Sequence, residues 1–198
     1  MGPDYSSRIT KINRRLGIPA DYARTRHMPM QREAKMLTAI GRNPDGRVIR
    51  LAPRAAAAWH RMQAAATADG FVLVPISGFR SIARQVKIIR DKLAAGQRIG
   101  DILRLVAAPG CSEHHTGRAL DIGSPEDTGL DESFGRTREY RWLKKHAGRF
   151  GFHLSYPRKN LHGIGYEPWH WCWRANRRPF FVPCKPGFAP DERRPYRG

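Results

Sequence analysis

Two short segments of the chain hold residues with the means to hydrolyse a bond. Ser112-Glu113-His114-His115-Thr116-Gly117-Arg118-Ala119-Leu120-Asp121 is followed, 46 residues after Asp121, by Glu167-Pro168-Trp169-His170. Hydrolytic zinc sites commonly take three protein ligands from His and carboxylate side chains and leave a fourth position for water. Asp121, His170 and one histidine of the His114-His115 pair meet that count. In an extended backbone only one of two neighbours points inward, and the residues themselves do not choose between them. Gly117, between His114 and Asp121, lets a loop turn back into a strand. Zinc draws the pKa of the water it holds toward about 7, and Glu167 is the base to take the proton and pass it to a leaving amine. Glu167 and His170 are three residues apart, so a regular strand would set them on opposite faces. Pro168 interrupts regular pairing. The strand is therefore expected from about Trp169, with Glu167 reaching in from the preceding turn.

Arg80, in Ser77-Gly78-Phe79-Arg80-Ser81, lies between an expected strand and an expected helix, where side chains reach into a cleft. A guanidinium there can bind a carbonyl oxygen and stabilise the oxyanion of a tetrahedral intermediate. His27, His60, His146, His153 and His162 are read as ordinary surface or core residues. Cys111, Cys172 and Cys184 form no CxxC pair, which argues against a cysteine zinc site. Cys111 and Cys172 are expected as buried free thiols.

These residues need elements to position them. Val48-Ile49-Arg50-Leu51 suits a short strand. Pro53 opens an alanine-rich helix from Arg54 to about Ala68, with Trp59, Met62 and Ala66 on one core-facing side. Gly70 stops it. Phe71–Ser77 reads as a strand, with Pro75 marking an edge position or a bulge. Ser81 caps a helix over Ile82–Ala95, ended by Gly96. Ile99–Val106 is expected as a short helix and Ala119–Ile122 as a short strand. Arg138–Arg149 is expected as an amphipathic helix, and Phe152–Tyr156 and Trp169–Trp173 as further strands. The mixture lacks strict βαβ alternation, so the fold class is α+β, with a small, largely antiparallel sheet and helices packed on it.

At 198 residues the chain is one domain with extensions. Residues 1–33 are expected to form a loosely attached basic arm, with a short helix at Ser7–Leu16. Residues 34–173 form the catalytic domain, and 174–198 an irregular Arg/Pro-rich tail. The net charge of +19 divides as +8 over residues 1–54, +6 over 55–173 and +5 over 174–198. Such a surface attracts polyanions without specificity, whether anionic wall polymer or nucleic acid. No motif points to specific nucleic-acid recognition, and a monomer is expected. No apolar run is long enough to span a membrane. No apolar segment follows the first residues, so no Sec signal peptide is expected and export would take another route, such as delivery by a phage or a secretion machine.

Three motifs in order resemble one family. Ser112, His114, Gly117, Ala119 and Asp121 match Ser-x-His-x-x-Gly-x-Ala-x-Asp. Glu167, Trp169 and His170 match Glu-x-Trp-His, and Ser77–Ser81 matches Ser-Gly-Tyr-Arg-Ser with Phe for Tyr. With Ala68-Asp69-Gly70, Pro109-Gly110 and Ser155-Tyr156-Pro157, the resemblance runs from about Glu33 to Trp173. It is to the VanY-type D-alanyl-D-alanine carboxypeptidases, zinc peptidases that share the hedgehog-type fold. The resemblance implies that His114, not His115, is a zinc ligand together with Asp121 and His170. It implies Glu167 as catalytic base, Arg80 on the scissile carbonyl, and Ser112, Gln85, Ser155 and Tyr156 as lining of the substrate pocket. The implied substrate is the peptidoglycan stem peptide, met at the cell wall or in the periplasm, from which the terminal D-alanine is released. Two alternatives accompany this reading: a lytic zinc endopeptidase cutting between L-alanine and D-glutamate, and a zinc-bearing binding module.

Overall fold

The computed structural model describes residues 3–175. Its strands form two separate sheets. β1 (Thr38–Arg42) and β2 (Val48–Leu51) make an antiparallel hairpin. Its turn at Asn43-Pro44-Asp45-Gly46 uses Gly46 at φ 77, with the Asn43 side chain accepting from the Arg47 N–H at 2.8 Å. The main sheet runs in the order β3 (Val74–Ser77), β4 (Ala119–Gly123), β6 (His170–Trp173), β5 (Phe152–Leu154), with every neighbouring pair antiparallel. Pro75 sits on an edge strand, and the register shifts between Pro75 and Ser77. Both facts follow from a residue that cannot donate to a ladder. β4 lies inside the sheet, and all five of its residues are buried.

The described residues also form six α-helices: α1 (Pro3–Arg15), α2 (Tyr22–Thr25), α3 (Pro53–Ala68), α4 (Ile82–Ala94), α5 (Ile99–Ile102) and α6 (Arg138–His146). α3 starts on Pro53, where a missing N–H costs nothing. Trp59, Met62 and Ala66 have no solvent exposure and form one core with Leu51 of the hairpin, Leu120 and Ile122 of β4, Leu143 of α6 and Trp171 of β6. Burying side chains of this size stabilises by about 1.5–3 kcal/mol each. α4 is capped as expected: Ser81 Oγ accepts from the Arg84 N–H at 3.1 Å. Several boundaries differ from the sequence reading: α1 begins at Pro3 rather than Ser7, and β5 stops at Leu154 rather than Tyr156. β3 begins at Val74, three residues late; α5 stops at Ile102; and α6 ends at His146, its continuation being a 3-10 turn over Ala147–Phe150.

The N-terminal segment, expected to be loosely attached, is packed into a second core. Leu16, Ile18, Tyr22 and Met28 are buried beside Ile89 of α4, Ile102 of α5, Cys111, Tyr156 and Ile164, and Ile9 is buried against Gly110. Glu33 accepts a hydrogen bond from the Ile82 N–H at the start of α4. The apolar residues come from two helices and the turn and loops beside them, so they show no single period. Cys111 and Cys172 are free and buried. Residues 176–198, with Cys184 and most of the expected tail, lie outside the described residues, among which no helix is long and apolar enough to cross a membrane.

Candidate active site

Strand register assembles the centre of the site. Asp121 in β4 pairs with His170 of β6 on one side and Ser77 of β3 on the other. Directly opposed residues have Cβ atoms about 4.5–5.5 Å apart, so the Asp121 and His170 side chains meet without a long reach. His114 arrives from a 3-10 turn, Glu113–Thr116, closed by Gly117 at φ 63. A Cβ at Gly117 would stand 2.8 Å from the Ala52 nitrogen, which fixes glycine at this turn. One donor atom from each of His114, Asp121 and His170 lies within 4.8 Å of the others, and all three residues are buried.

Each ring meets an acceptor on the side away from this centre. His114 Nδ1–H donates to the Gly78 carbonyl at 2.7 Å, leaving Nε2 3.3 Å from Asp121 Oδ2. His170 Nε2–H donates to Glu113 Oε2 at 3.0 Å, leaving Nδ1 3.1 Å from Asp121 Oδ1. His115 is occupied elsewhere. Its Nδ1–H donates to the Arg80 carbonyl at 2.6 Å, and its Nε2 accepts from the Gly110 N–H at 3.2 Å. Both nitrogens of a neutral ring are thereby satisfied, and burial holds the His115 pKa below its ordinary value. The turn sends the two neighbouring histidines in different directions while burying both.

Glu167 also reaches in from a turn. The His170 N–H donates to the Glu167 carbonyl at 3.2 Å, and Glu167 Oε2 comes within 3.7 Å of His170 Nδ1. Burial pushes the Glu167 carboxyl up to about 7, with the charges of Asp121 and Glu113 adding to the effect and His170 and Arg80 opposing it. At His170 burial disfavours the charged ring, but hydrogen bonds to Asp121 and Glu113 prevail and raise its pKa to about 10. Asp121 is pulled far down by His114 and His170 despite its burial. His114 is lowered, first by burial. A cluster of this kind, with groups pushed in opposite directions inside a cleft, is typical of a functional site.

Arg80 is held at both ends. Its N–H donates to the His114 carbonyl at 3.1 Å, while its guanidinium donates to Gln85 Oε1 and to Ser77 Oγ, each at 3.2 Å, and lies 3.7 Å from Asp121 Oδ2. Gln85 is buried and donates in turn to the Ala107 carbonyl at 2.6 Å. Arg80, Gln85, Ser112, Tyr156, Glu167 and the His-Asp-His group all line one cleft of about 380 Å³, together with Lys92, Leu105 and Leu130. Ser155 is not part of that lining. Its hydroxyl donates to Glu113 Oε2 at 2.5 Å, on the far side of His170.

Glu113 was not singled out from the sequence, although it precedes His114 directly. Its role in the site is made by distance in space, to a ring 57 positions away. The Gly78 carbonyl is likewise invisible to a reading of side chains. Two imidazoles that can present lone pairs and one ionised carboxylate, converging in a buried pocket, form a nitrogen and oxygen donor set suited to zinc.

The family described as VanY, D-alanyl-D-alanine carboxypeptidase, matches residues 48–176. YodJ of Bacillus subtilis (strain 168) is 39% identical over 119 residues, covering 59% of this chain and 43% of that protein. The D-alanyl-D-alanine carboxypeptidase of Enterococcus faecalis (strain ATCC 700802 / V583) is 34% identical over 117 residues, 54% of this chain and 42% of that one. The match to these curated relatives thus spans about two fifths of their length. Among solved structures, the LdcB LD-carboxypeptidase aligns with a TM-score of 0.65 and 33% identity, over 73% of this chain and 71% of that one. VanYB in complex with D-alanine-D-alanine aligns with a TM-score of 0.57 and 29% identity, over 73% and 80%. A VanY D,D-pentapeptidase from a VanB-type vancomycin resistance cassette, in complex with Zn(II), aligns with a TM-score of 0.56 and 29% identity, over 74% and 82%.

Proposed function

Because this chain belongs to the VanY D-alanyl-D-alanine carboxypeptidase family, we propose that it is a zinc-dependent D,D-carboxypeptidase. Its substrate is the D-Ala-D-Ala end of a peptidoglycan stem peptide, met at the cell wall or in the periplasm. The observation that carries this reading is Glu167, a buried carboxyl poised near neutrality beside a His-Asp-His group. His114 Nε2, His170 Nδ1 and an Asp121 oxygen would hold the zinc. When bound, zinc supplies a Lewis acid that lowers the pKa of the water it carries and polarises the scissile carbonyl.

The chain's own residues do the rest. Glu167 accepts a proton from the attacking water and delivers it to the leaving amine. Arg80, braced by Ser77 and Gln85, turns its guanidinium toward the carbonyl oxygen and stabilises the charge that develops there. Ser112 and Tyr156 line the peptide's path. Lys92 brings a second long cationic side chain to the cleft wall, where the free carboxylate of a chain end finds a partner. That feature favours release of a terminal residue over a cut inside the stem, as in L-alanine–D-glutamate endopeptidases. Glu167 favours an enzyme over a binding module, because recognition alone needs no proton acceptor. The basic surface supplies non-specific attraction to anionic wall polymer, weakening as salt rises.

Digestion of purified peptidoglycan by the zinc-loaded protein, with and without chelator, tests the proposal. Mass spectrometry is expected to show pentapeptide stems shortened to tetrapeptides with release of D-alanine, and no reaction in chelator. Tetrapeptides shortened to tripeptides would instead assign LD specificity, the reading that the similarity to LdcB favours. Intact stems would defeat both.

The acid limb of the pH profile follows from Glu167. A general base works in its deprotonated form, so kcat/KM is expected to fall as pH drops through the Glu167 pKa. That carboxyl is pushed from 4.5 up to about 7 by burial, and a bound cation attracts the carboxylate and draws the value back down. The midpoint should therefore lie between those limits in a profile measured from pH 4 to 8. A flat profile over that range would remove Glu167 from the role.

A further inference from the structure

We propose that Glu113 is a positioning residue that sets the tautomer and ring flip of His170, so that Nδ1 is the atom presented for metal binding. This rests on the zinc reading of the site. The His170 ring is packed against Tyr156, with centroids 4.7 Å apart, and edge-on to His114 at 4.9 Å. Such packing fixes the plane of the ring. It does not fix the flip, because rotating an imidazole by half a turn exchanges nitrogen for carbon in nearly the same shape. A hydrogen bond is what tells the two flips apart. Glu113 Oε2, 3.0 Å from Nε2, rewards the flip that carries an N–H toward it, and once the ring is neutral that N–H leaves the lone pair on Nδ1, the nitrogen that faces Asp121.

Glu113 is itself prepared for the task. Its side chain is 16% exposed, Ser155 Oγ donates to the same oxygen at 2.5 Å, and an Arg174 nitrogen lies 3.9 Å from the other oxygen. His114 has a different device. Its Nδ1–H donates to a neutral backbone carbonyl, that of Gly78. The two rings are thus oriented by acceptors of different charge. A carboxylate partner raises the basicity of the opposite nitrogen more than a carbonyl does, which makes His170 Nδ1 the stronger imidazole donor of the pair. Ser155 thereby acquires a task away from the substrate: it holds Glu113 in place.

The test compares wild type with Glu113→Ala, Glu113→Gln and Ser155→Ala. Zinc affinity is measured by competition with a chromophoric chelator. In the Co(II)-loaded protein, proton NMR follows the exchangeable, paramagnetically shifted ring N–H of His170. Glu113→Ala is expected to weaken zinc binding by about 10–100-fold and to let the His170 N–H exchange away. Glu113→Gln keeps an acceptor, so the resonance should persist at a shifted position with an affinity between those of wild type and Glu113→Ala. Ser155→Ala should weaken binding less than Glu113→Ala. Unchanged zinc affinity and an unchanged resonance in Glu113→Ala would overturn the inference while leaving the metal site standing. Should Glu113→Ala fail to fold, Glu113→Gln decides, and identity with wild type in both readouts overturns it. A wild-type protein that binds no zinc overturns the metal reading, and this inference with it.

Discussion

Replacing Glu167 by Gln should lower kcat by about 10²–10⁴-fold, the contribution usual for a positioned general base, and leave zinc affinity near that of wild type. The amide has the shape of the carboxyl and cannot take up the proton. Glu167 is outside the three-residue group whose donor atoms converge within 4.8 Å, so its loss removes no ligand. The metal-free protein gives an independent check. A carboxyl whose pKa is raised on folding contributes stability below its unfolded value, near 4.5, and loses it as pH rises through about 7. At pH 8 the buried Glu167 carboxylate therefore weighs against the fold, and Glu167→Gln should unfold no more readily than wild type. At pH 4 that advantage should vanish. Full hydrolytic activity in the variant, or loss of its zinc, would sink the assignment.

The second large effect separates two neighbours in sequence. His114→Ala should abolish tight zinc binding and activity together, because it deletes a donor atom from the group. His115→Ala should keep zinc affinity and lose stability instead. It strips partners from the Arg80 carbonyl and the Gly110 N–H, at about 1–3 kcal/mol for each polar group left buried and unpaired. Chelator competition and thermal unfolding, run on both variants, read the two outcomes apart. The reverse pattern, with zinc lost in His115→Ala and kept in His114→Ala, would require a different ligand set.

Much of this arrangement can be read from residues whose neighbours in sequence determine them. Ser81 caps α4, Pro75 marks an edge strand, and Glu167-Pro168-Trp169-His170 makes a turn before a strand. Each rests on local backbone chemistry. The four-stranded antiparallel sheet follows from short strands separated by turns. The hairpin was half legible: Val48–Leu51 reads as a strand, while its partner Thr38–Arg42 has only one buried residue and too little apolar alternation to declare itself. The His114 and His115 rings differ in space by the partners each one meets, above all by backbone carbonyls that no residue type announces. Glu113 went unread for the same reason, since a carboxylate beside a candidate ligand histidine means nothing until the distant ring it faces is known. The packing of residues 5–33 was hidden by the way their apolar side chains are dealt out among two helices, a turn and loops.

That N-terminal packing has a consequence for where the working unit begins. The family match starts at residue 48, yet the loop that carries both histidines is shored up from before it. The Gln31 N–H donates to the Gly110 carbonyl at 2.6 Å, the Ala34 N–H to the His115 carbonyl at 2.8 Å, and Asn13 to the Pro109 carbonyl at 3.2 Å. Ile9 presses so closely on Gly110 that a Cβ there would stand 2.6 Å from its methyl group. The matched range and the mechanically coupled unit thus have different edges. Enlarging Ile9 should therefore displace the backbone around residue 110, so that a residue before the matched range bears on the placement of His114 and His115.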